Sequence, residues 1–429
     1  MVPACQPRSI DELRAAVMHP AAKSVLAFGG GRSYGDNAIN SAGAAIATGA
    51  LNRVVSFDHT TGELICEAGA CYRELLDDFL RDGFVVPVSP GTGFATIGGA
   101  IANDVHGKNH DKEGSLGGHV NWIELVCADG SLLRASAIEN PDIFHATVGG
   151  IGLTGIIARA SITMKQLGGN SMLVRERRMA DLDEFIGQLS IARQSSSYSV
   201  GWIDALKRGS ALGRGVLETA EPAGQFIEQG PRRSGPGMPF DLPAKVMNRY
   251  SIGAFNAAYF RRVPRSGRER IMTYDRFTYP LDAIRNWNRM YGSRGFYQFQ
   301  CVLPDEAAAR GLRALLETVA DSGAASFLAV LKTLGPAGQG YLSFPVRGYT
   351  LALDIPRSRG SDELLRAMEE ITLDHDGRVY LAKDAMLSRQ AFQRMYPKYP
   401  EFRAVLDLID PGGRFQSDMA RRLGITKNG

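Results

Sequence analysis

Hydrophobic and polar positions follow two different rhythms along this chain. In the first part, short apolar runs alternate with amphipathic turns. Ser9 to Met18 reads as a helix: Ser9 caps, Glu12 follows three later, and Ile10, Leu13 and Val17 share a face. Ser24 to Phe28 reads as a strand, as do Val54–Phe57 and Leu64–Glu67 around a Thr60-Thr61-Gly62 turn. Tyr72 to Leu80 predicts a helix ending near Gly83, and Val85 to Val88 a further strand. Thr96 to Asn103 predicts a helix whose N-terminal amides face the preceding loop. Val120–Cys127, Leu132–Ala135 and Ile156–Met164 read as strands.

After about Leu167 the rhythm changes. Longer alternating runs begin at Tyr198 and return at Phe296–Val302, Ser326–Leu331 and Tyr349–Ile355. Helical segments at Pro304–Ala320 and Ser361–Thr372 lie between and after them. This predicts an antiparallel sheet covered by helices on one face. Val379–Lys383 is expected as a last strand, followed by a helix around Ser388–Met395. A Gly- and Pro-rich connection from Glu221 to Pro243 is long for a compact domain and reads as a lid or partly disordered segment. The class is α+β, with boundaries expected at 1–168, 169–377 and a returning segment 378–429.

Composition changes this picture little. A chain of 429 residues predicts two domains, and 44% hydrophobic with 22% charged residues fits a globular protein rather than a disordered one. No apolar run reaches the length of a spanning helix, and no signal peptide pattern opens the chain. The five cysteines have no metal or CxxC spacing, which fits a reducing compartment. Net charge is only +4, but nine basic residues lie between Pro231 and Arg270, against Asp241 and Glu269. Arg232, Arg233, Lys245, Arg249, Arg261, Arg262, Arg265, Arg268 and Arg270 are either a solvated surface or a patch for an anionic membrane or phosphate.

Candidate chemistry is concentrated in glycine. Gly29-Gly30-Gly31-Arg32-Ser33-Tyr34-Gly35-Asp36 and Pro90-Gly91-Thr92-Gly93, continuing through Gly98-Gly99 to His106-Gly107-Lys108, place bare backbone where a polyanion can approach. Gly149 to Gly155 is either another cofactor wall or a tight helix-to-sheet contact. His106 and His110 lack the companions of a zinc site, and no metal is expected. Lys108 and Lys383 are candidates for proton transfer or charge placement; alternatively each pairs with a carboxylate, Asp384 for the second. Gln298 and Gln300 share one strand face, with Lys332 ending a neighbouring run; they line a pocket or face solvent.

These stretches, in order, resemble the flavin-dependent oxidoreductases of the vanillyl-alcohol oxidase type. The likeness runs through Thr147-Val148-Gly149-Gly150, Trp287-Asn288-Arg289, Gln298-Phe299-Gln300, Tyr380-Leu381-Ala382-Lys383-Asp384 and Ser417 to Leu423. It implies a two-subdomain FAD-binding fold plus a substrate domain. It also implies FAD contacts from Gly29, Gly30, Gly31, Arg32, Ser33, Tyr34, Gly35, Asn37, Ala38, Pro90, Gly91, Thr92, Thr96, Gly99, Asn103, His106, Gly107, Gly149, Gly152, Gly155 and Ile157. Arg32 stands where many relatives carry a flavin-tethering histidine, so noncovalent FAD is expected. The resemblance gives Lys383 the essential lysine position, with Lys108 assisting. Trp202, Thr278, Tyr279, Gln298, Gln300, Lys332, Thr350, Ala352 and both lysines would meet the substrate. Thr278, Thr350 and Ala352 replace a tyrosine, an asparagine and a cysteine of the nearest members.

The implied reaction is hydride transfer to flavin N5 from a sugar secondary alcohol, the 2-hydroxyl of a polyprenylphosphoryl ribose. The implied partners are a separate NAD(P)H-dependent reductase and peripheral contact with the cytoplasmic face of a membrane, with no nucleic acid. The alternatives are a soluble alditol or aldonolactone oxidase and a non-catalytic flavin-binding partner protein.

Overall fold

A computed structural model describes residues 4–228, 237–243, 246–324 and 327–426. The early short runs form a three-stranded parallel sheet of β1 (Ala4–Cys5), β2 (Val25–Phe28) and β3 (Ala44–Ala47), in the order β1-β3-β2. The helix Ile10–Met18 is capped by Ser9 as predicted and buries Leu13 and Val17 beside Val25 and Ile46. Next come β4 (Val54–Phe57), β5 (Glu63–Glu67), the short β6 (Phe84–Val85), β7 (Val120–Val126), β8 (Leu132–Ala135), β9 (Ile156–Thr163) and β10 (Lys165–Gln166). Five of these make an antiparallel sheet, β4-β5-β9-β7-β8, while β6 pairs with β10.

The later alternation forms one eight-stranded sheet from β11 (Ser171–Met179), β12 (Tyr198–Ile203), β13 (Gly215–Pro222), β14 (Arg268–Thr273), β15 (Phe296–Pro304), β16 (Ala329–Leu334), β17 (Gly348–Pro356) and β18 (Arg378–Val379). Its order is β14-β11-β13-β12-β16-β17-β15-β18, antiparallel throughout. Helices Leu182–Ser195, Asp305–Ser322 and Ser361–Asp374 cover one face, burying Leu189, Leu312, Leu315 and Met368 against Phe299, Leu331, Leu351 and Leu353. Period-2 alternation then forces Gln298, Gln300 and Lys332 to the opposite face. The chain end returns to the first sheet, where Phe415 bridges Val25 and joins its core.

Several expectations change. Val379–Lys383 is not one strand: β18 holds two residues, and Leu381–Lys383 is a single 3₁₀ turn closed by Lys383 N–H on the Tyr380 carbonyl at 2.9 Å. The helix over Ile97–Ala102 forms with Thr96 as its cap, but its first amides do not face the loop. Ile97 and Gly98 donate to the Ala70 and Ala68 carbonyls, and Gly99 donates to Thr96 Oγ1. Long-range backbone pairing thus consumes the donors that local reading leaves open. Ser326 lies outside the described residues, as do 229–236 within the Glu221–Pro243 connection. Arg232, Arg233 and Lys245 of the basic stretch lie outside them too.

Half of the described remainder of that stretch is spoken for. Arg262, Arg268 and Arg270 converge on the buried Glu176 carboxylate at 2.8, 2.5 and 3.3 Å, and Arg262 also reaches Glu218 at 3.3 Å. The guanidiniums hold the Glu176 carboxyl below its usual range in spite of its burial. Arg268 and Arg270 therefore fasten β14 to β11, and Arg262, at the end of the helix Arg249–Arg261, joins the same clamp.

Candidate active site

Between the glycine loops and the polar face of the large sheet lies a cavity of about 2860 Å³. Pockets for drug-sized ligands are roughly 300–1,000 Å³, so this one has room for a dinucleotide and a second molecule. Its floor is the first glycine loop, lying against the second. A Cβ on Gly30 would overlap the Phe94 carbonyl, and one on Gly29 would overlap Thr96 Oγ1. The amides of Gly30, Gly31, Arg32 and Ser33 donate to no protein acceptor among the described residues. Free amides on bare backbone are what a diphosphate requires, so the residues present fit a dinucleotide. Arg32 stacks over Phe94, with 5.2 Å from its Cζ to the ring centroid.

The second loop is anchored from the substrate side. Asp282 accepts from Thr92 Oγ1 and the Gly93 amide, both at 2.8 Å, and from Arg73 at 2.7 Å. The Tyr279 hydroxyl is hydrogen-bonded to Ser89.

Of the residues expected at the cofactor, Gly29, Gly30, Gly31, Arg32, Ser33, Tyr34, Asn37, Ala38, Pro90, Gly91, Thr92, Thr96, Gly99, Asn103, His106, Gly107, Gly152, Gly155 and Ile157 line the cavity. Gly35 and Gly149 do not. Gly35 has φ +61° and sits against the Asp384 carbonyl, where a Cβ would collide. Gly149 has φ +73° and packs on Ser343. Both are tight crossings of backbone, so the third glycine cluster divides between the two roles considered for it.

Of the substrate set, Lys108, Trp202, Thr278, Tyr279, Gln298, Gln300, Lys332, Ala352 and Lys383 line the same cavity. Thr350 does not. It is buried behind Gln300, whose Nε2 donates to its Oγ1 at 3.1 Å. Gln300 also meets His106 Nε2 at 2.9 Å. Burial and the nearby lysines hold the His106 imidazole well below its ordinary pKa, so it is neutral. His110 is likewise lowered, to about 3, chiefly by burial, and its Nδ1 accepts the Gly335 amide at 2.9 Å.

The electrostatic centre is three half-buried lysines lining the cavity. Burial brings Lys108, Lys332 and Lys383 each down to about 8. Lys332 is lowered further by the charges of the other two. Each feels a different acid: Lys108 feels Glu218, Lys332 feels Asp111 and Lys383 feels Asp354. Lys108 donates to the Phe277 carbonyl and sits 4.1 Å from that ring's centroid. Lys332 Nζ donates to the Gly107 carbonyl at 3.4 Å. Lys383 Nζ stands 4.2 Å from the centroid of the Tyr34 ring. Tyr34 N–H in turn donates to the Ala382 carbonyl at 2.8 Å, so the first glycine loop and the lysine turn are fastened together.

The carboxylate considered for Lys383 was Asp384. It instead accepts the Met386 and Leu387 amides and pairs with Arg422, all at 2.8 Å. Reasoning from the sequence missed Asp354, Asp282 and Glu218. Asp354 was within reach, since it shares a face with Ala352 in the alternating run that begins at Tyr349.

Comparison with known proteins agrees with this geometry. An FAD binding domain family matches residues 4–136, and a D-arabinono-1,4-lactone oxidase family matches 349–423. The chain is 37% identical over 414 residues to decaprenylphosphoryl-beta-D-ribose oxidase of Mycolicibacterium smegmatis, covering 94% of this chain and 89% of that one. It is 31% identical to an uncharacterized protein in the mprA 5' region of Streptomyces coelicolor, over 80% of this chain and 96% of that one. A putative D-arabinono-1,4-lactone oxidase of Neurospora crassa is 26% identical over 50% of this chain and 39% of its own length. The chain belongs to the family of decaprenylphosphoryl-beta-D-ribose oxidase, among the flavoenzymes of the vanillyl-alcohol oxidase type, and is an FAD-dependent oxidoreductase acting on CH–OH groups with its flavin held noncovalently.

Proposed function

We propose that this enzyme oxidises the 2-hydroxyl of a polyprenylphosphoryl-β-D-ribose to the 2-keto sugar. The observation that carries the reading is the position of Lys383: a half-buried amine at the seam where the first glycine loop meets the polar wall of the large sheet. Bound FAD supplies the acceptor for the hydride that leaves the carbinol carbon.

The chain's own residues do the rest. The free amides of Gly30 to Ser33 and the Pro90–Thr92 loop hold the diphosphate. Lys383 in its neutral form takes the hydroxyl proton on Nζ as the C–O bond becomes a carbonyl. Its amine becomes an ammonium, so the charge balances within the site. Gln300, fixed by His106 and Thr350, and Gln298, fixed by Asp354, orient the sugar hydroxyls. Lys108 and Lys332 supply positive charge for the phosphate beside the sugar. Trp202, held by its Nε1–H on the Phe327 carbonyl at 2.8 Å, closes the far side against water.

A separate NAD(P)H-dependent reductase would consume the keto product and complete an epimerisation. No described helix is long and apolar enough to cross a membrane. Phe240 and Tyr250, 62% and 79% exposed within the basic stretch, support peripheral association with a membrane surface. The match of residues 349–423 to the lactone oxidase family favours a second reading, a soluble aldonolactone or alditol oxidase. Anaerobic flavin bleaching by short-chain prenylphosphoryl ribose, free ribose, alditols and aldonolactones decides between them. Bleaching by the lipid-linked sugar alone is expected; faster bleaching by a lactone or alditol overturns the assignment.

A further inference from the structure

One buried group on the cavity side of the large sheet enters the scheme above only as a partner of Gln298, and its charge is not used there. Asp354 lies on β17 opposite Gln298 of β15 and is 1% exposed. It accepts from the Tyr291 hydroxyl at 2.8 Å and from Gln298 Nε2 at 2.6 Å. Those bonds satisfy its oxygens but do not neutralise it, and a buried carboxylate without a counter-charge is costly. A neutral amide would fill the same space, accepting from Gln298 through its one oxygen and donating from its amino group to the Tyr291 oxygen.

Gln298, bonded to Asp354 at 2.6 Å, lines the same cavity as Lys383 and the Tyr34 ring 4.2 Å from its Nζ, so the carboxylate stands one side chain behind the amine without forming an ion pair with it. Across that gap the field of Lys383 acts on Asp354, and Asp354 in turn favours the ammonium of Lys383. Other groups do not take its place. Tyr34, under the Lys383 Nζ, is a phenol held protonated by burial and by Asp354 itself. Lys332 and His106 approach from β16 and the glycine-rich loop as a like charge and a neutral ring. Asp384, next in sequence, is turned to Arg422.

We propose that Asp354 is a positioning residue for the oxidation, a buried counter-charge that sets the protonation of Lys383 while its bond to Gln298 holds that amide against the sugar. The inference rests on the reading of Lys383 as the proton acceptor. Burial alone pulls a lysine down, and an opposite charge in the same low-dielectric wall pulls it back up. Lys383 stands at about 8 with Asp354 present, and Asp354 itself is raised by burial to about 6. Removing the carboxylate removes only the upward pull, so the amine loses its proton at lower pH.

The test is anaerobic flavin reduction by prenylphosphoryl ribose, followed by rapid mixing from about pH 5 to 10 on FAD-loaded enzyme. Wild type is expected to rise to a plateau through a midpoint near about 8. The Asp354→Asn midpoint is expected to fall by about one pH unit, and Asp354→Glu to restore it. A midpoint that stays in place while the rate falls equally at every pH overturns the proposal and leaves Asp354 a structural tie.

A second measurement needs no variant. Two coupled groups titrate together, so the wild-type rate should climb by less than tenfold per pH unit between about pH 5 and 7. A full tenfold climb per unit there means that Lys383 titrates alone and overturns the proposal. A Lys383→Met enzyme that reduces its flavin at the wild-type rate would instead remove the reading on which the proposal stands.

Discussion

The two walls of the cavity solve opposite problems. The glycine loops offer backbone: amides without protein acceptors, and side chains absent where a Cβ would strike the neighbouring loop. The opposite wall offers side chains: Gln298, Gln300 and Lys332 from the sheet and Lys383 from the turn beside it, with Lys108 reaching in from the second glycine stretch and carboxylates placed behind or beside them. A diphosphate carries its charge at fixed positions, and unadorned backbone can meet it. A sugar alcohol that must lose a proton needs a group whose pKa is tuned, which only burial and neighbouring charge supply. The walls therefore should fail in different ways.

The largest effect is expected on the sheet wall. Lys383→Met should slow alcohol-dependent flavin reduction by roughly 10²–10⁴-fold, the usual worth of a positioned base, while the purified protein stays yellow. Rapid mixing against the visible flavin spectrum measures both. On the opposite wall, Gly30→Val should push the two loops apart through the Phe94 carbonyl. FAD affinity should fall by about 100-fold, equivalent to about 2.7 kcal/mol, with the melting temperature of the apoprotein little changed. Equilibrium dialysis of FAD checks this, and a fully loaded variant would show that the loops need not touch.

Glu176→Gln tests the clamp behind the sheet wall. Three guanidiniums would lose their shared carboxylate, and unfolding free energy should drop by about 2–3 kcal/mol, discounted for the partial exposure of the arginines. Chemical denaturation of the holoenzyme reads this. The smallest effect is expected from Thr350→Val, which removes the hydroxyl that holds Gln300 from behind. KM should rise by about threefold to tenfold, in line with about 1 kcal/mol for one hydrogen bond, with kcat nearly unchanged. An equal loss in kcat would place Gln300 in the chemical step.

The same division explains what was legible beforehand. The glycine loops, the capped helix at Ile10–Met18 and the alternation of Gln298 with Gln300 are local signals. Each depends on residues within a few positions of one another, and each was recovered. The register of distant strands is not local. Nothing near Asp354 shows that it will face Gln298, and nothing near Asp384 shows that Arg422 will claim it. The helix Tyr399–Ile409 was readable but unread. Pro400 opens it, and Phe402, Val405 and Leu406 keep its buried face. Gly35 and Gly149 misled because glycine serves a ligand and a backbone crossing equally well.

By itself the sequence determined the class of fold, the cofactor loops and the identity of the chemically capable side chains, because periodicity, turn chemistry and residue type are properties of neighbouring positions. Tertiary structure alone decided which carboxylate serves which lysine, which amides stay free and which arginines are occupied. Those outcomes turn on distances of a few ångströms between residues far apart in the chain, and they exist only once the glycine loops and the large sheet have closed around the cavity.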